Sequence, residues 1–178
     1  ASVEPVVVAG TDDGAWVELA ALTGRNALRL EERLPWLLAH LPHVINRLKN
    51  WQGPRYRESE FRYMPPVVQP PTFRDFHAFE QHVRACQISR GLEIAAAWYR
   101  QPIFYFSNPH ALVGHDGAVF APQGSDELDY ELELGVIIGK AGRNIPLNRA
   151  WEHIAGFTVI NDFSARDLQR QELSVGLG

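Results

Sequence analysis

The sequence predicts an α+β protein: a small leading α/β unit, a proline-rich connector, and a longer unit of mixed, β-rich character. Three observations carry this expectation. Thr11-Asp12-Asp13-Gly14 separates two short apolar runs, Val6–Ala9 and Ala15–Leu19, as a hairpin turn does. Pro65-Pro66-Val67-Val68-Gln69-Pro70-Pro71 places four prolines in seven residues, which excludes a helix or central strand and favours an extended junction. Beyond it, strand patterns outnumber long helices, and many connections are too short for strand–helix–strand crossovers. The expected divisions are 1–64 for the leading domain, 65–71 for the linker and 72–178 for the second domain.

The elements follow in order. Between Leu30 and Trp51 the apolar residues Leu34, Leu37, Leu38, Leu41, Val44, Ile45 and Leu48 recur at three- and four-residue steps, an amphipathic helix. Pro35 is tolerated only in a first turn, so the helix is expected to start there, with His40 and His43 at its surface or core edge. Phe73–Gln87 reads as a second helix. At 100° per residue Phe76, Phe79, Val83 and Cys86 share an apolar face, with Asp75 and His82 at its margin. Pro102–Phe106, Leu128–Ile138 and Phe157–Ile160 read as strands, with a short helix at Leu147–Ile154. A last helix is expected near Ser164, where Ser164 and Asp167 resemble a capping box.

Composition narrows the function. The 178 residues are 46% apolar, which excludes a disordered chain, and the formal charge of 17 − 21 = −4, without a basic block, argues against nucleic acid as the main partner. A single cysteine, Cys86, excludes an intramolecular disulfide framework and a cysteine-rich zinc site, and fits a reducing, cytoplasmic setting. No apolar run approaches the ~20 residues that span a bilayer.

The most informative stretch is Leu128-Asp129-Tyr130-Glu131-Leu132-Glu133-Leu134. Side chains alternate across a strand, so Asp129, Glu131 and Glu133 share one face and the leucines the other. Alternate residues lie ~6.6 Å apart, and two carboxylates at that distance repel by about 2.5 kcal/mol at an effective dielectric near 20. Solvent screens this on a surface strand; a strand lining a cleft needs a cation or protonation to offset it. Asn161-Asp162 adds an acid at the end of the apolar run Phe157–Ile160. Carboxylate oxygens alone suit a hard cation: Mg²⁺, Ca²⁺ or Mn²⁺. Spacing leaves an acidic solvent face and a metal site both open.

The block Leu128-Asp129-Tyr130-Glu131-Leu132-Glu133, followed by Asn161-Asp162-Phe163-Ser164-Ala165-Arg166-Asp167-Leu168-Gln169, strongly resembles the fumarylacetoacetate hydrolase family. Phe104-Tyr105-Phe106-Ser107-Asn108-Pro109 and Arg74-Asp75-Phe76 followed by His82 support the resemblance, which covers roughly residues 68–178. It implies a mixed β-sandwich roll holding Mg²⁺ or Ca²⁺. Glu131, Glu133 and Asp162 fall on the family's constant ligand positions, and Asp75 on a fourth ligand of fumarylacetoacetase, with a helix N-cap as its alternative role. His82 matches the catalytic histidine, with a plain helix-edge histidine as its alternative. Arg166 and Gln169 match positions near the substrate, and Tyr105 a substrate-binding tyrosine. The family's usual assembly, a homodimer, is expected too.

Two departures stand out. Short family members carry a glutamate three residues after the catalytic histidine, where this chain has Ala85. The family also continues well past Leu173-Ser174-Val175-Gly176-Leu177-Gly178. The protein is therefore expected to extend further, and an intact mass near 20.1 kDa would overturn that expectation.

The resemblance implies hydrolytic cleavage of a carbon–carbon bond in an acylpyruvate or fumarylacetoacetate-like diketo acid, a step of aromatic amino-acid catabolism. His82 would activate water while the cation offsets the charge of the departing enolate. The same site would serve tautomerisation, decarboxylation or hydration of 2-oxo acids. A silent, metal-binding relative is the alternative from another class. Ser164 is outside a G-x-S-x-G elbow, Gly139-Lys140-Ala141-Gly142 lacks the phosphate-loop spacing, and Cys86 reads as core packing.

Overall fold

The structure, a computed structural model, describes residues 7–24 and 30–176. Val6 of the first expected run lies outside the described residues, as does the side chain of Leu34. The chain divides into two compact units, one of 1–66 together with 113–178, the other of 67–112. Among the described residues the strands form three separate two-stranded antiparallel sheets, with helices between them in an α+β arrangement.

In the first unit, β1 (Val8–Gly10) pairs with β2 (Trp16–Glu18), Ala9 opposite Val17. The Thr11–Gly14 turn forms as the sequence predicts. The Thr11 amide donates to Ala15 O at 2.8 Å, and Gly14 takes φ +78°, a conformation that favours glycine. The polypeptide then enters α1 (Leu19–Thr23), which ends on Gly24 in the left-handed region. Val17 and Leu22 are fully enclosed and, with Leu19 and Val44, form the core against which Trp36, Leu37, Leu48 and Trp51 pack.

The single helix expected over 30–51 is two helices, α2 (Leu30–Ala39) and α3 (Leu41–Lys49). Pro42 accounts for the break. It sits in the first turn of α3, lacks an N–H for the residue 38 carbonyl, and disfavours helical backbone at Leu41 before it. Pro35 lies inside α2 instead of opening the helix. At the break the His40 Nδ1–H donates to Trp36 O at 2.8 Å, and the two rings stack at 4.4 Å.

The second unit departs most from expectation. Phe73–Phe76 is a strand, β3, pairing with β4 (Phe104–Ser107), and the helix, α4, spans only Glu80–Ser89. Aromatic residues at Phe73, Phe76, Phe104 and Phe106 suit a pleated ribbon, and cross-strand pairing overrides the helical period. Asp75 is thus a strand residue and no helix cap; Phe79 occupies the N-cap position and is largely exposed, while Val83 alone of the expected apolar face is buried.

Back in the first unit, β5 (Leu128–Ile138) pairs with β6 (Ile154–Ala165), which is longer at both ends than the expected 157–160. A 3₁₀ segment, Leu147–His153, leads into β6, and α5 (Arg166–Ser174) follows it. Ser164 belongs to the strand, so the expected capping box does not form; Ala165 is the N-cap residue and carries no side-chain cap. Asp167 instead accepts from Ser125 Oγ–H at 2.7 Å, Asp126 N–H at 3.0 Å and Leu168 N–H at 2.9 Å, tying α5 to the segment before β5.

Truncating the enclosed Leu22 to Ala is expected to cost about 2–5 kcal/mol, read as a lower urea midpoint with an unchanged slope.

Candidate metal centre

Antiparallel register decides which acids meet. Glu131 stands opposite Asp162, Asp129 opposite Ser164, and Glu133 opposite Ile160, so Asp162 is also the diagonal neighbour of Glu133 on the same face. Glu133 and Asp162 bring carboxylate oxygens within 4.8 Å of each other. The face they share is the sheltered one. Glu131 is 29% exposed and Glu133 and Asp162 are half-buried, whereas Leu132 and Val159 on the opposite face are 73% and 72% exposed. A solvated acidic face would show the reverse. Asp129, on the same face, is 52% exposed.

Arg166 answers part of the crowding. As the residue directly after β6, it lies next to Ala165, the partner of Leu128, at the open end of the ladder. From there its guanidinium donates to Asp129 Oδ2 at 2.9 Å and to Glu131 Oε1, and also to Gln169 Oε1 at 3.3 Å. The Tyr130 backbone N–H, and after it Arg166, holds the Asp129 carboxyl below the usual range. Glu131, expected as a metal ligand, is therefore engaged with the arginine expected near the substrate, and Gln169 belongs to the same network.

Further along the ladder, Glu133 and Asp162 converge. Two ionised carboxylates no more than 4.8 Å apart repel by about 3.5 kcal/mol or more at an effective dielectric near 20. A divalent cation reverses the sign of that contribution, and an all-oxygen donor set selects a hard one. The arrangement fits a hard divalent cation. Gly135 lets the neighbouring rungs close over the same face: a Cβ there would come within 2.7 Å of Ile160 Cδ1 and Thr158 Cγ2.

In the second unit, Asp75 faces Tyr105 across the β3–β4 ladder and is only 9% exposed. The Tyr105 hydroxyl donates to Asp75 Oδ2 at 3.0 Å. His82, on α4, is exposed and lies one helical turn from Cys86, its Nε2 3.7 Å from the thiol sulfur. The His77 ring approaches His82 edge-on at 5.5 Å. Sequence reasoning overlooked His77 and put Cys86 down to packing, although the four-residue spacing of His82 and Cys86 was a usable signal.

Comparison with known proteins places the chain in a family. Residues 72–177 match the family described as fumarylacetoacetate (FAA) hydrolase C-terminal. Human mitochondrial oxaloacetate tautomerase FAHD2A is 44% identical over 133 residues, covering 71% of this chain and 38% of that protein. Oxaloacetate tautomerase YisK of Bacillus subtilis is 32% identical over 124 residues, covering 69% and 40%. The chain thus spans about two fifths of the length of either relative. Among solved structures, a protein of Mycobacterium abscessus described as a probable 2-hydroxyhepta-2,4-diene-1,7-dioate isomerase superposes with a TM-score of 0.66 at 25% identity, covering 93% of this chain and 50% of that one.

Two outcomes follow for this site. Mg²⁺ is expected to raise the melting temperature in proportion to the logarithm of its concentration above Kd, and Glu133→Gln or Asp162→Asn to remove that rise. Ser125 Oγ–H, followed by the Asp126 amide, depresses the Asp167 carboxyl below its ordinary value. Its contribution to stability is therefore present above the unfolded-state pKa of about 3.9 and lost as pH falls through the lower folded value. Melting curves from pH 7 down to acid are expected to show that loss in the wild type, and Asp167→Asn to start lower and flatten it.

Proposed function

We propose a function on one premise: the chain belongs to the fumarylacetoacetate hydrolase family. The reading supported best is proton transfer next to the carbonyl of a 2-oxo acid, the keto–enol tautomerisation of an oxaloacetate-like dicarboxylate. The observation that carries it is the sheltered convergence of Glu133 and Asp162, an oxygen-only donor pair. The names of the two tautomerases and of the isomerase point the same way.

In this proposal Glu131, Glu133 and Asp162 hold Mg²⁺ or Ca²⁺, and the family resemblance adds Asp75 as a further ligand. The ion, when bound, would polarise the carbonyl of a chelating 2-oxo acid and lower the cost of enolisation. Arg166 holds Asp129 and Glu131 in place and presents a planar guanidinium suited to a substrate carboxylate, with Gln169 beside it. Tyr105, through its hydroxyl on Asp75, orients that carboxylate. His82 takes the proton from the carbon next to the carbonyl and delivers a proton to the oxygen, so that no atom is gained or lost. Imidazole suits the task because its ordinary titration range spans neutral pH.

Hydrolytic cleavage of a fumarylacetoacetate- or acylpyruvate-type bond is the second reading, favoured by the match of 72–177 to the hydrolase domain. It asks His82 to deprotonate water rather than carbon. The β-sandwich roll, the homodimer and the cytoplasmic setting belong to the same proposal. No described helix is long and apolar enough to cross a membrane.

The deciding experiment follows enol–keto interconversion of oxaloacetate, and cleavage of acylpyruvates and fumarylacetoacetate, each with Mg²⁺ and with chelator. Metal-dependent interconversion that falls about 10²–10⁴-fold in His82→Ala is the expected result. Metal-dependent cleavage with the same loss would favour the second reading. No turnover on any of these substrates would leave only a metal-binding module.

A further inference from the structure

We propose that His77, His82 and Cys86 form a second metal site, selective for a borderline divalent cation of the Zn²⁺ type. The three side chains offer two imidazole nitrogens and a thiol sulfur, all within 4.8 Å of one another. Their placement comes from the backbone. His82 and Cys86 are four residues apart on α4 and so project from one face of the helix. His77 sits on the segment between β3 and α4, and its peptide groups are fixed on both sides. Its N–H donates to Ile103 O at 3.1 Å, and its carbonyl accepts from Trp98 Nε1–H at 2.6 Å.

The distances suit the ion. Ligands at Zn–S of about 2.3 Å and Zn–N of about 2.05 Å with a tetrahedral angle lie about 3.6 Å apart. Cys86 Sγ and His82 Nε2 are 3.7 Å apart. The His77 nitrogen lies within 4.8 Å of both other donor atoms, where two tetrahedral nitrogens stand roughly 3.3 Å apart. Three protein ligands with exposed His82 at the edge leave a fourth position for water. Nitrogen and sulfur donors discriminate against Mg²⁺ and Ca²⁺, so the site does not compete for the ion of the carboxylates. As the metal–sulfur bond forms, the Cys86 thiol gives its proton to solvent. Occupancy also takes up the His82 lone pair, so the ion would inhibit proton transfer; that clause alone rests on the function proposed above.

The test is titration of the purified, reduced protein with Co²⁺ in the presence of excess Mg²⁺, read by absorption. One Co²⁺ per chain is expected, with a thiolate-to-metal charge-transfer band in the near ultraviolet and tetrahedral bands in the visible, all displaced by stoichiometric Zn²⁺. Cys86→Ser should remove the near-ultraviolet band, and His77→Gln should weaken Co²⁺ binding by about tenfold or more, a loss on the scale of disturbed metal sites. Circular dichroism of both variants establishes that each is folded, and either one suffices. Absence of the near-ultraviolet band, its survival in folded Cys86→Ser, or displacement of Co²⁺ by Mg²⁺ would each overturn the site. In a separate arm, Zn²⁺ should inhibit Mg²⁺-supported turnover of the wild type and spare Cys86→Ser. Co²⁺ binding without such inhibition would keep the site and overturn its reach over His82.

Discussion

The register of the β5–β6 ladder is the constraint on which the candidate site depends. Side chains alternate across a strand, so a slip of one residue would send Asp129, Glu131 and Glu133 to the opposite face from Asp162. With Glu131 opposite Asp162, all four acids share one surface, and the next residue past the ladder, Arg166, arrives where Asp129 and Glu131 need a cation. The segment from Asp162 to Arg166 therefore supplies both an acid and the base that offsets its neighbours. The charge of the arginine reaches the open end of the ladder, and the carboxylate pair one rung further in defines where a divalent ion is worth most.

The sidedness of the hairpin has an energetic meaning. The hairpin carries its carboxylates on the less exposed face at a cost in desolvation, with Leu132, Leu134, Val136 and Val159 exposed opposite among the described residues. It is held by what lies along its length. Ile160 and Thr158 close over Gly135 on the acidic side, and Gly139 lies so near Leu38 that a Cβ would approach its Cδ1 to 2.7 Å. A two-stranded ribbon is marginal by itself, and these contacts within the first unit give it the support it lacks. The arginine pairs then recover part of the desolvation cost, more than exposed pairs would, because Arg166 is itself only 27% exposed.

The sequence made the ladder legible and the local breaks illegible, for physical reasons. Strict alternation over Leu128–Leu134 admits one reading, and Asp13-Gly14 names its own turn. Pairing, however, is a relation between distant segments. Phe73–Phe76 carries too short a pattern to betray a strand until Phe104–Ser107 lies against it, and the helical period of Phe76, Phe79 and Val83 misleads. Ser164 looked like a cap because capping chemistry is local, yet the ladder claims it through Asp129. The break at Pro42 was readable from proline chemistry, but the unbroken leucine period on both sides concealed it. In the site, the chain pattern marked Glu131, Glu133 and Asp162; the pairing of Glu131 with Arg166 needed the register, since 35 residues separate them.

Donor chemistry sorts the titratable groups into two sets, and the sorting follows secondary structure. The oxygen set stands on an antiparallel ladder, where cross-strand and diagonal neighbours bring short carboxylates together from segments far apart in sequence. The nitrogen and sulfur set stands on a loop and the first turns of a helix, where a four-residue step is enough to align two ligands. A hard ion gains little from imidazole and thiolate, and a borderline ion gains more from them than from carboxylates, so each set discriminates by its own chemistry without needing a different shape. Under the two proposals His82 would carry opposed demands: as a base it must keep its nitrogen lone pair, and as a ligand it must give it up.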